Sequence, residues 1–104
     1  MVAEAGPLLR PYVAHVHVKD AVPVERDGAP YPAPAPELAL MASVRPAGEG
    51  DGEIRELLRE LAGAGYEGFL TLEPHLLLRH PDRSGAERLD VALDALRALL
   101  AELS

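Results

Sequence analysis

Two histidines, a lysine and an aspartate crowd into the stretch "HVHVKD", His15 to Asp20, and a glutamate, Glu73, closes a second apolar stretch, "GFLTLEP". Imidazole and carboxylate are the usual nitrogen and oxygen ligands of divalent ions such as Mn, Co, Mg or Zn. Either group can also move a proton to or from a bound substrate. In an extended chain Val13, His15, His17 and Lys19 share one face, and Ala14, Val16 and Val18 share the other. Phe69, Thr71 and Glu73 are likewise opposed to Leu70 and Leu72. His17 and Glu73 therefore fall near the ends of two strands, on the faces opposite the apolar ones. On neighbouring parallel strands they could share one metal ion, with Lys19 and Asp20 beside them for substrate.

Each of these residues also has a structural reading. A His-x-His pair can satisfy its ring nitrogens on backbone or neighbouring side chains. Glu73 can simply face solvent, and Asp20 can begin a turn. "GEGDGE", Gly48 to Glu53, reads as turn and cap chemistry, and it lacks the Lys and Ser/Thr of a phosphate-cradling loop. Glu49 lies within it. Arg45 could position an anionic substrate or be an ordinary loop arginine. His75 and His80 read as exposed loop residues.

The elements that must position these groups follow from periodicity. A strand is predicted over about 12–18. A long loop, about 20–50, holds six of the ten prolines, which suit neither helix interiors nor central strands. Its Val22 to Ala42 part is expected to lack regular structure. A helix over about 52–63 begins at Asp51 as N-cap, repeats Ile54, Leu57, Leu58 and Leu61 on one side, and stops at the glycines of "AGAGYEG". A second strand covers about 68–73. A last helix, about 85–103, opens on a capping box of Ser84 and Glu87 and carries a stripe from Leu89 to Leu103.

Strand, crossover helix and strand imply two parallel strands with a right-handed connection. Two strands leave open edges, so the chain reads as part of something larger. Its 104 residues suffice for one small domain. A net charge of -7 without a Lys/Arg cluster argues against nucleic acid. Without cysteine there is neither a disulfide framework nor a thiolate metal site. The N-terminus does not read as a signal peptide, and no apolar run is long enough for a bilayer. A cytoplasmic protein with no membrane partner is expected.

"HVHVKDA" followed by "RPAGEGDGEIRELLRELAGAGYEGFLTLEPHL" resembles the C-terminal part of sugar phosphate isomerase/epimerase proteins, the xylose isomerase-like TIM barrels. The resemblance runs from about Tyr12 through the final helix. It implies an α/β fold, a partial TIM barrel of two parallel βα units equivalent to strands seven and eight. It further implies that His17 and Glu73 bind a divalent metal, that Glu73 serves as acid/base, and that the remaining ligands come from earlier strands. The expected activity is isomerisation or epimerisation of a sugar or related hydroxy-carbonyl compound. Lys19, Asp20, Arg45 and Glu49 are the substrate-contact candidates, and His15 is a support for the metal histidine. With an incomplete ligand set, the chain is expected to self-associate or to need an N-terminal barrel partner. The alternative is a non-catalytic small domain that associates with another chain.

Overall fold

Val16 and Val18 turn inward and His17 outward, as strand geometry requires of alternating residues. In the computed structural model, which describes residues 1–23, 43–77 and 80–103, this strand is β1 (Val16–Val18). The other elements are α1 (Val2–Leu9), a 3₁₀ turn (Arg10–Tyr12), β2 (Asp20–Ala21), β3 (Val44–Arg45), α2 (Ile54–Gly63), β4 (Leu70–Leu72) and α3 (Gly85–Ala101). β1 and β4 run parallel, with Val16 opposite Leu70, His17 opposite Thr71 and Val18 opposite Leu72. One further bond, from the Glu73 amide to the Val18 carbonyl at 3.1 Å, carries the ladder to Glu73.

Both long helices cover the same face of this pair. Ile54 and Leu58 of α2 and Leu96 and Leu99 of α3 bury themselves with Val18 and Ala47, and Val16, Leu70, Leu72 and Leu103 pack against them. A smaller cluster joins Val44, Leu76 and Ala92 beneath Leu72. The small α/β architecture with a parallel two-stranded sheet matches the expectation from sequence. Among the described residues no helix is long and apolar enough to cross a membrane.

Several boundaries differ from the periodic pattern. The strand predicted from residue 12 starts at Val16, because Arg10–Tyr12 coil into a 3₁₀ turn around Pro11, whose fixed φ suits such a turn. Asp51 is not the N-cap of α2. Its amide donates to the Ala21 carbonyl at 2.7 Å, and the helix starts from Glu53, held left-handed at φ 54°. The loop ends are also more ordered than predicted, since β2 and β3 form a short antiparallel ladder, Asp20 opposite Arg45 and Ala21 opposite Val44. The expectation of irregular structure from Val22 to Ala42 falls mostly on residues 24–42, outside those described. α1, unforeseen in the sequence, lies against α2, and Arg10 of the 3₁₀ turn that follows it pairs with Glu60 of α2 at 3.1 Å.

Two ends follow local rules. Gly65 takes φ +74°, and the amides of Gly65 and Tyr66 return to the carbonyls of Ala62 and Leu61, a Schellman closure. At α3 the Glu87 amide donates to Ser84 Oγ at 3.1 Å and the Ser84 amide to Glu87 Oε1 at 3.0 Å. That amide is the main cause holding the Glu87 carboxyl below its ordinary value.

Ser84→Ala should lower unfolding stability by about 1 kcal/mol, read from urea melts. Because the Glu87 value is depressed on folding, its contribution is fully present above the ordinary 4.5 and is lost as pH falls through the folded value. The stability gap between wild type and Glu87→Gln should therefore close on acidification. Phe69, 79% exposed on the uncovered face of an open-edged strand pair, predicts self-association of the isolated chain. Sedimentation velocity showing a monodisperse monomer would contradict it.

Candidate functional site

The uncovered face of the β1–β4 pair gathers the polar residues. His15 lies just before β1, its Nε2 hydrogen-bonded to Thr71 Oγ1 at 2.8 Å. Its ring is 4.9 Å from that of His17, centre to centre, and 6.4 Å from that of Phe69. His17 Nδ1 in turn meets Glu73 Oε1 in a direct side-chain contact. The two residues lie 56 positions apart in the chain, and the parallel register brings them together. Both remain partly open to solvent, with side chains 55% and 37% exposed.

The electrostatics favour an ionised Glu73. Its carboxyl is held below the ordinary range, first by the hydrogen bond from His17; burial opposes this, and the charges of His17, Lys19 and His75 add smaller contributions in the same direction as the hydrogen bond. Lys19 is exposed between buried Val18 and Asp20. His75 is a neighbour that sequence reasoning assigned only to an exposed loop. It is exposed, and its backbone stands at φ 35° directly after Pro74. The "EPH" order was the available signal, because a proline has no amide to continue the ladder and so ends strand pairing just before His75. Thr71, the partner of His15, was also missed as a functional neighbour; its register opposite His17 becomes visible only once the strands are paired.

Asp20 was expected to contact substrate, but the structure gives its carboxylate other work. The residue is 2% exposed. Oδ1 accepts from the amides of Ala21 at 2.9 Å and Gly52 at 2.8 Å, and Oδ2 from those of Gly48 at 2.9 Å and Gly50 at 3.0 Å. Four charge-assisted bonds answer the cost of burying a carboxylate. "GEGDGE" is thus the wrapping of an internal anion. A side chain on Gly50 would begin 2.4 Å from Asp20 Oδ1 and 2.6 Å from the Ala21 carbonyl, so only glycine fits there.

Arg45 and Glu49 sit on the arm that closes over Asp20. Arg45 is half-buried opposite Asp20 in the β2–β3 ladder, with Nη1 turned back to the Val44 carbonyl at 3.2 Å. Glu49 is exposed at the turn, its amide bonded to the Pro46 carbonyl at 3.0 Å. His80 is half-buried, and its amide donates to the Leu76 carbonyl at 2.8 Å. Among the described residues no group of three or more His, Cys, Asp or Glu converges in a way that could hold a metal ion. His17 and Glu73 supply a nitrogen and an oxygen of the right chemical type, a partial donor set.

Compared with known proteins, the chain matches no family model and, at a significant level, no curated protein and no solved structure.

His17→Ala should return the Glu73 carboxyl toward its ordinary 4.5, since the largest cause of its depression is removed. Titration of the Glu73 carboxyl carbon by NMR measures this. The pair's contribution to folding is present above 4.5 and fades as pH falls through the lowered value, so the variant should lose that part of the pH dependence of stability.

Proposed function

We propose that the chain is the C-terminal part of a xylose isomerase-like barrel, with β1 and β4 as its seventh and eighth strands. The whole would isomerise or epimerise a sugar or related hydroxy-carbonyl compound with the help of a divalent metal. The observation that carries this reading is the meeting of His17 and Glu73. They come from adjacent parallel strands, near the C-terminal ends, on the face opposite the helix-covered one. In α/β barrels that face is the interior, and that rim is where chemistry is done.

The donor types fit a divalent ion of the Mn, Co, Mg or Zn group, with further ligands required from elsewhere. A bound ion of this kind acts as a Lewis acid toward substrate oxygens. His17 and Glu73 would hold it. Glu73, kept ionised by His17, Lys19 and His75, would also take the proton from one substrate carbon and return it. Lys19 would neutralise negative charge on the substrate at the rim, with Arg45 and Glu49 reaching it from the loop arm. His15, bonded to Thr71 and ring-to-ring with His17, would limit the orientations open to that imidazole. The setting that goes with this reading is the cytoplasm.

A second reading, a non-catalytic domain that associates with another chain, is favoured by the partial donor set among the described residues. Two ligands make a weak site for a hard ion. Calorimetric titration with Mn²⁺ and Co²⁺ separates the two. The metal reading expects weak binding that disappears in both His17→Ala and Glu73→Ala. Binding indifferent to both substitutions, or none at all, supports the non-catalytic domain.

A further inference from the structure

Asp20 is a buried charged residue to which the proposed chemistry gives no part, yet it joins the rim end of the chain after β1 to the glycine segment before α2. It follows β1, which carries His17, and immediately follows Lys19. Its Oδ2 is held by the amides of Gly48 and Gly50, which flank Glu49 on either side. Its Oδ1 holds the amide of Gly52, two residues before α2 begins. The chain is locked from the opposite direction as well, since the Asp51 amide donates to the Ala21 carbonyl at 2.7 Å and the Val22 amide to the Ser43 carbonyl at 3.1 Å.

We propose that Asp20 is a positioning residue that sets the rim end of the histidine-bearing strand against the glycine arm, and so fixes how His17 and Lys19 are presented beside Glu73. The proposal rests on the metal reading above for its consequence in binding, but its geometric part stands on the carboxylate and its amides alone. A carboxylate suits this work because it offers acceptors in two directions and no donor. An asparagine of the same shape would aim an NH₂ group at two amide N–H groups, turning two attractions into repulsions. The alternating glycines meet the same requirement from the other side: Gly50 has no room for a β-carbon, and one on Gly52 would begin 2.8 Å from Oδ1.

The test uses the full chain and compares wild type with Asp20→Asn, Gly52→Ala and Ser84→Ala. Ser84→Ala is a control that weakens α3 through a cap whose bonds join only Ser84 and Glu87 and not Asp20 or the glycine segment. Two measurements are made on protein shown by circular dichroism to be folded. One is the nuclear Overhauser contact between the His17 ring and the Glu73 methylenes; the other is Co²⁺ affinity from visible absorption, with Co²⁺ as the only added ligand. The expected result is loss of the His17–Glu73 contact in Asp20→Asn and its weakening in Gly52→Ala. Co²⁺ affinity should fall by about tenfold in Asp20→Asn, the scale on which outer partners affect metal ligands. Ser84→Ala should leave both measurements at wild-type values. An intact contact and unchanged affinity in Asp20→Asn would overturn the proposal, as would equal changes in Ser84→Ala. If Asp20→Asn does not fold, Gly52→Ala decides by the same criteria. If wild type binds no Co²⁺ through His17, the metal reading fails by itself, and the contact measurement alone decides whether Asp20 positions the pair.

Discussion

A carboxylate taken out of water must find donors for its lone pairs within the protein, and Asp20 finds them in four backbone amides. Much of the local architecture follows from that need. The amides of Gly48, Gly50 and Gly52 can converge on one side chain only if the segment between β3 and α2 curls around it. The curl leaves Asp51 bonded to Ala21 rather than capping a helix, and it delays α2 to Ile54, behind a left-handed Glu53. The short β2–β3 ladder belongs to the same closure, since it begins at Asp20 itself. An unmade bond here would be costly, because a buried polar group without a partner costs about 1–3 kcal/mol.

The second constraint is that a two-stranded sheet has one apolar face to cover and α2 and α3 both cover it. Everything polar on β1 and β4 is thereby directed to the other side. His15, His17, Thr71 and Glu73 meet there because strand alternation and parallel register leave them no other place. The same arrangement leaves Phe69 exposed among them, an apolar group on a face otherwise suited to chemistry. A barrel interior would accommodate both, which is why the open face and the polar pair support one reading together better than either does separately.

The electrostatics of the pair are cooperative in sign. His17, Lys19 and His75 all favour the ionised form of Glu73; His17 lies in β1, Lys19 just after it and His75 after β4. The pair sets a carboxylate oxygen beside an imidazole nitrogen, at a position still partly open to solvent.

What the sequence determined by itself was set by rules that act over a few residues. Alternation assigned His17 and Glu73 to the faces opposite Val18 and Leu72, the leucine stripes marked α2 and α3, and Ser84 with Glu87 and Gly65 marked helix ends through bonds no more than five residues long. The parallel pairing followed from a crossover helix between two strands. What only the tertiary structure decided concerns partners far apart in the chain. Asp20 meets amides 28, 30 and 32 residues away, and His17 meets Glu73 across 56. Local pattern could show that Asp20 and "GEGDGE" were each unusual, but a turn-forming aspartate and a turn-forming glycine run look the same whether or not they bind each other. The choice was made by burial: once Val18 enters the core, the next inward residue, Asp20, is carried below the surface with it, and the glycine amides are the donors within reach.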